Sequence, residues 1–110
     1  MNENYKIAYS PEALNDIESI YNYIAFRLKA EQTAANQISR IRESIRSLQL
    51  FPERNRAVDW EPWASMGMRI LPVDNYVVYY MVNTFDLVVI VTRVFYGGRD
   101  VEHIIKDIDI

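Results

Sequence analysis

Apolar residues run along this chain in two rhythms, and the switch between them divides it. The opening "YKIAY" (5–9) alternates as a short strand does and stops at Ser10-Pro11, a capping residue followed by a proline suited to a first helical turn. Leu14, Ile17, Ile20, Tyr21, Ile24 and Leu28 then recur at threes and fours, one face of a helix that ends near Lys29. A second helical stripe follows almost at once: Ala34, Ile38, Ile41, Ile45 and Leu48, closed by Phe51-Pro52. So short a gap makes the pair an antiparallel helical hairpin.

After an aperiodic stretch, "ERNRAVDWEPWASMG" (53–67), read as a loop, the rhythm changes to that of strands. Three apolar runs (68–73, 76–82 and 87–96) are joined by "DN" and "NTFD", both rich in turn formers, and so predict an antiparallel meander. The last two runs are apolar at nearly every position, which requires cover on both faces of the sheet. The helical hairpin supplies one cover; on the other we expect a C-terminal helix from Asp100, carrying Ile104, Ile105 and Ile108, with a partner protein completing it.

Composition adds limits to this picture. With 110 residues, half of them apolar, we expect a single domain over 1–110 with one core. Zero cysteines remove any disulfide framework or Cys-ligated zinc, and the lone His103 has no second histidine at ligand spacing, so no metal or cofactor is expected. His103 reads as a surface or helix-packing residue, and Asp107 and Asp109 as solvated charges in a frayed tail. No leader-like or membrane-spanning run is visible, so a soluble cytoplasmic protein is expected. The net charge of -3 argues against a broad nucleic-acid surface, although Arg40, Arg42, Arg46, Arg54 and Arg56 form a local basic cluster.

Candidate chemistry concentrates in "TRVFYGGRD" (92–100). Arginines fork well onto phosphate oxygens, so Arg69, Arg93 and Arg99 are candidates to hold phosphate, with Tyr96 stacking on a base or moving a proton. The plainer reading has Arg93 reaching solvent at a strand end, Arg69 paired with Asp74 or Glu61, and Tyr96 packed in the core. If Val82 faces Leu87 across "NTFD", Tyr76 lies opposite Arg93 on the face of Val78, Tyr80, Val91 and Phe95. Tyr79, Thr92 and Tyr96 take the other face. A two-residue "DN" loop then puts Arg69 on the Arg93 face, and a three-residue loop on the Tyr96 face. Gly97-Gly98 lacks the spacing of a phosphate-cradling loop and reads as a sharp strand exit.

Taken together, "YKIAYSPEALNDIESIYNYIA", "LQLFPERNR", "GMRILPVDNYVVYYMV" and "VVIVTRVFYGGRD" resemble, in order and over nearly the whole chain, the RelE/ParE toxin superfamily of type II toxin-antitoxin systems, often labelled plasmid-stabilisation proteins. The resemblance implies an α+β fold: an N-terminal strand and helical hairpin packed on a twisted antiparallel sheet, with a short C-terminal helix. It also implies a cognate antitoxin that neutralises a growth inhibitor. RelE-like members cut mRNA in the ribosome, whereas ParE-like members bind DNA gyrase. Nuclease-type members carry an arginine after the tyrosine of the "N-Y" strand start, where this chain has Val77. They also carry catalytic residues where it has Leu71 and Phe95. That leaves Arg69, Arg93, Tyr96 and Arg99 as the catalytic candidates if the protein is an endoribonuclease. Losing one well-placed group of this kind costs about two orders of magnitude or more in rate. ParE-like gyrase binding is therefore the favoured expectation; a RelE-like ribonuclease and a degenerate toxin acting only as a binding partner are the alternatives.

Overall fold

The computed structural model describes residues 4–108, so Asp109 lies outside the described residues. The chain runs β1 (Lys6–Tyr9), α1 (Pro11–Asn22), a π-helical turn (Tyr23–Arg27), α2 (Glu31–Arg46), a four-residue helix α3 (Trp63–Met66), β2 (Arg69–Val73), β3 (Tyr76–Asn83), β4 (Val88–Tyr96) and α4 (Val101–Ile108). The four strands form one sheet in the order β1-β4-β3-β2, with the expected antiparallel meander and β1 added parallel to β4 at the edge.

Ser10 caps α1 by accepting from the Ala13 N–H, and its own hydroxyl donates to the Thr92 carbonyl on β4 at 2.8 Å. One side chain thus starts the helix and ties it to the sheet. The helix ends where expected, because Lys29 takes a left-handed φ of 53° just past the last turn. Before that, the wider π turn closes through Leu28 N–H to the Tyr23 carbonyl and shifts the helical phase by one residue. Leu28, which a regular helix would place in the core stripe, therefore stands exposed. Leu14 is exposed as well, and Ala13 occupies the core beside Ile17.

Along α2 and the 3-10 turn that follows it (Ser47–Gln49) the predicted stripe holds: Ala34, Ile41, Ile45 and Leu48 are fully buried, and Ile38 packs against the core. Ile38, Ile41, Ile45 and Ile17 meet Val78, Val91 and Val94 of the sheet, Leu48 packs with Tyr80 and Val89, and Ala34 packs with Ile24 and Ala25 inside the hairpin. Truncating Ile41 or Ile45 to alanine would cost about 2–5 kcal/mol, the usual range for a large-to-small change in a packed core.

The other face of the sheet is finished differently from expectation. Segment 53–67 is organised: Val58 N–H bonds the Met68 carbonyl, Ile70 N–H bonds the Arg56 carbonyl, and Ala57 bridges Arg69. This lays Trp60 and Trp63, stacked at 5.0 Å, over Tyr79, which meets Phe95 edge-on. With Val101, Ile104 and Ile105 of α4 these side chains cover the surface for which a partner was expected. Two large indoles do the covering because their flat rings bury the most area per residue.

The register of β3 and β4 also corrects the sequence expectation. The connecting loop keeps four residues but slides, so that Asn83 faces Val88, while the Asn83 amide oxygen accepts from the Phe85 and Asp86 N–H groups. Past Tyr80–Val91 a bulge makes Thr92 an extra residue, and from there Tyr79 faces Arg93 and Tyr76 faces Tyr96. Because side chains alternate, one extra residue moves everything after it to the opposite face. Arg93 and Phe95 go to the tryptophan face, and Tyr96 joins Tyr76 on the hairpin face. The "DN" turn does have two residues, since Val73 pairs with Tyr76. Arg69, opposite Tyr80, nevertheless shares no face with Arg93, contrary to the expected pairing of the two.

Candidate functional site

A groove of about 710 Å³ opens between the end of α1 and the exit of β4. It is lined by Asp16, Ile20, Tyr23 and Leu28 on the helical side and by Tyr76, Arg93, Tyr96 and Arg99 on the sheet side. The structure therefore gathers three of the four candidates and leaves Arg69 out.

β4 outlasts its neighbour: β1 ends opposite Val91, so the β4 edge beyond it has no strand partner. The tether at Ser10 swings the first turns of α1 into that vacancy and brings Asp16 to the bare edge. One carboxylate oxygen of Asp16 accepts from Arg93 Nε at 2.8 Å and from the Val94 N–H at 2.9 Å; the other accepts from Arg93 Nη2 at 3.1 Å. The result is a forked, charge-assisted pair in which the two side chains keep only 20% and 15% of their exposure. The guanidinium also lies 4.4 Å from the Phe95 ring centroid. Arg93 is thus held between the Asp16 carboxylate and the Phe95 ring, rather than reaching into solvent.

Arg69 is likewise a brace, and among the described residues it binds no carboxylate. Its Nη1 donates to the carbonyls of Asn55 at 2.6 Å and Glu53 at 3.1 Å. Beside them the fully buried Tyr80 donates its hydroxyl to the Pro52 carbonyl and accepts from the Asn55 amide. Asp74 and Glu61, the expected partners of Arg69, are occupied elsewhere. Asp74 takes Arg40 Nε and Gln37, and Glu61 takes Ser65. Hydrogen bonds from Arg40 and Gln37 hold the Asp74 carboxyl below its ordinary range.

Tyr96, expected in the core on the plainer reading, is 54% exposed at the groove's rim. Its ring meets Tyr76 edge-on at 5.9 Å. Burial raises the Tyr76 phenol above its ordinary value, with Tyr96 and Tyr23 adding to the rise. A phenol moved that way stays protonated near neutrality and makes a poor base. Arg99, 5.6 Å from the Phe95 centroid, is in no ion pair among the described residues.

The two glycines serve the exit of the strand. A Cβ on Gly97 would lie 3.1 Å from the Asn75 carbonyl oxygen, whose bond from the Gly97 N–H is 2.7 Å, and one on Gly98 would meet the Tyr96 ring at 2.9 Å. His103 is on the surface of α4, paired with Asp107 at 3.0 Å. Asp107 is therefore a solvated charge in an ordered helix and not in a frayed tail.

Sequence reasoning missed Asp16, Tyr23 and the π turn. The only trace of Asp16 was its place beside the stripe, one residue before Ile17, with nothing to distinguish it from other helical carboxylates.

Val77 and Phe95, the two apolar departures from the nuclease pattern, turn out to face each other directly across β3 and β4 on the tryptophan face. Val77 does not line the groove, whereas Phe95 does, beside Arg93 and Tyr96.

A family model described as the ParE toxin of type II toxin-antitoxin systems matches residues 7–101. Among solved structures, the chain is similar to the chromosomal ParDE toxin-antitoxin system from P. aeruginosa. The TM-score is 0.68 at 18% identity, covering 84% of this chain and 95% of that one. It is also similar to the toxin-antitoxin complex RelBE2 of Mycobacterium tuberculosis, with a TM-score of 0.62 at 14% identity, covering 88% of this chain and 95% of that one. No curated sequence matches the chain significantly.

Proposed function

The chain belongs to the ParE toxin family of type II toxin-antitoxin systems, and from that premise we propose that it inhibits growth by binding a target protein, DNA gyrase, and not by cutting RNA. The observation that carries this reading is the Asp16–Arg93 pair. An arginine that must grip a scissile phosphate has to offer its fork to the substrate, and here an internal carboxylate already fills it. Arg69 is spent on backbone carbonyls, which leaves Arg99 and Tyr96 as the candidates open to the groove, beside a Tyr76 phenol that burial makes a poor base. Binding needs no such base.

The antitoxin has a natural seat in the same groove. Tyr23, Leu28 and Tyr96, each at least half exposed, form an apolar rim around it, with Phe26 beside them. Exposed aromatic and aliphatic side chains around a concavity are what a partner segment buries.

The test is a supercoiling assay with purified toxin and gyrase. Loss of supercoiling, restored by antitoxin, is the expected outcome; untouched supercoiling and no cleavage complex would overturn the gyrase assignment. Primer extension on translated mRNA after induction separates the ribonuclease alternative, for which codon-linked cuts lost in Tyr96→Phe would be the signature.

A further inference from the structure

The five arginines of the basic cluster around α2 meet different fates in the fold, and two of them, Arg42 and Arg46, line a second site that Arg56 does not reach. Arg40 is taken by Asp74, and Arg54 caps the carbonyls of Ser47, Leu50 and Phe51. Arg42 and Arg46 are in no ion pair among the described residues, and with Lys6, Ile7, Tyr9 and Gln49 they line a cleft of about 460 Å³ between β1 and α2. No carboxylate lines it among the described residues.

We propose that this cleft is an anion site, separate from the groove, that binds phosphate groups through Lys6, Arg42 and Arg46.

Three observations carry the proposal. The cations are exposed and converge from two elements: Arg42 and Arg46 stand one helical turn apart on α2, and Lys6 reaches in from the sheet edge. Second, Arg42 is pre-positioned, since its guanidinium lies 5.3 Å from the centroid of the Tyr9 ring and is in no ion pair among the described residues. Third, like charges one turn apart oppose each other, in a chain whose overall charge is -3. A bound polyanion offsets that repulsion, whereas a single carboxylate would satisfy only one fork. Phosphate oxygens fit best, because two guanidinium forks and an ammonium offer more donors than one carboxylate can accept. Gln49 and the Tyr9 hydroxyl, kept neutral as burial outweighs the pull of Arg42 and Arg46, add uncharged donors.

The phosphate can come from a polynucleotide backbone or from a free nucleotide, and the experiment distinguishes them. The intact toxin is titrated with a twelve-nucleotide single strand by fluorescence anisotropy, at low salt and at a fourfold higher concentration. It is also titrated with pyrophosphate by calorimetry. Three neutralised phosphates give a salt slope of about -2, so the fourfold rise in salt should weaken the single strand roughly twentyfold. Arg42→Gln/Arg46→Gln should lose that slope and most of the affinity for both probes. Arg27→Gln, which removes a charge outside the cleft, should change neither, and thermal melts confirm that each variant folds. Binding of both probes assigns a polynucleotide backbone, and binding of pyrophosphate alone assigns a free phosphoanion. The proposal fails if neither binds, if Arg42→Gln/Arg46→Gln binds as the parent does, or if a poly-glutamate peptide binds more tightly than the single strand. Because gyrase is absent from every arm, failure here is distinct from failure of the gyrase reading.

Discussion

The groove beside β4 and the cleft beside β1 are built from the same residue type, and they differ in whether the fold supplies a counter-charge. In the groove, Asp16 locks Arg93 with two bonds and little exposure; in the cleft, Arg42 and Arg46 stand exposed with no carboxylate among the lining residues. Arg40, paired with Asp74 in the open, lies between these extremes. An arginine's role is therefore decided less by its position in a motif than by what the tertiary structure places within reach of its fork. In this protein Arg93 and Arg69 are engaged within the fold, whereas Arg99, from the same motif, and Arg42 and Arg46 are in no ion pair among the described residues.

The strongest way to break the comparison is to remove Asp16. Asp16→Ala strands a largely enclosed guanidinium and orphans the Val94 N–H, so we expect a loss of about 3 kcal/mol, the low end for breaking a buried pair. In urea this lowers the unfolding midpoint by roughly 2 M at a typical slope for a domain of this size. Asp16→Ala/Arg93→Leu should recover much of the loss, because the stranded charge goes with the carboxylate.

A smaller effect is expected at the rim. Tyr96→Ala should weaken antitoxin binding by about 2 kcal/mol, some thirtyfold in Kd, if Tyr96 is a central anchor of the groove. Its exposure means that folding stability should move by no more than about 0.5 kcal/mol. Arg42→Gln/Arg46→Gln, in the same titration, should bind antitoxin as the parent does.

The exposed Arg40–Asp74 pair gives a third, weaker test. The Asp74 carboxyl is lowered in the folded state, so its contribution is present above the unfolded value and is lost as pH falls through the folded one. Stability should decline below about pH 4, and Asp74→Asn should make that decline shallower. Urea midpoints measured from pH 6 down to pH 2.5 would show whether it does. The smallest effect is expected in the cleft itself. Relieving the like-charge pair with Arg42→Gln should leave the melting temperature unchanged or raise it slightly, by a few tenths of a kcal/mol. A clear loss would mean that Arg42's contact with Tyr9 stabilises the fold more than the repulsion costs.

Much of the fold was legible because burial leaves a period. Ile41, Ile45 and Leu48 recur at threes and fours because one helical face meets the sheet, and the apolar meander announces a sheet covered on both sides. Ser10-Pro11 marked the start of α1 because a side-chain oxygen was needed there to cap free N–H groups. The cover on the second face was not legible, since Trp60 and Trp63 sit in a segment whose only regular element, the four-residue α3, is too short to show a period. Nor was the π turn, which changes the helical phase without any sequence mark and leaves Leu28 on the surface.

The candidate site was legible as a set of residues and not as an arrangement. Arg93, Tyr96 and Arg99 do line one groove, as their closeness in sequence suggested. The side of the sheet each occupies was set by the bulge at Thr92, one residue wide and invisible to alternation counted from either end.

What the sequence determined by itself is whatever depends on neighbours within a turn or a rung: the helical hairpin, the strands and their turns, the capping of α1, and membership of a toxin family carried by ordered motifs. Only the tertiary structure decided what depends on distant partners. Asp16 meets Arg93 across 77 positions of chain, and Lys6 meets Arg42 and Arg46 across the gap between an edge strand and a helix. Charge is read by residue type, but its availability is set by which opposite charge the fold carries to it. Coulomb attraction depends on distance in space, and sequence separation does not report that distance.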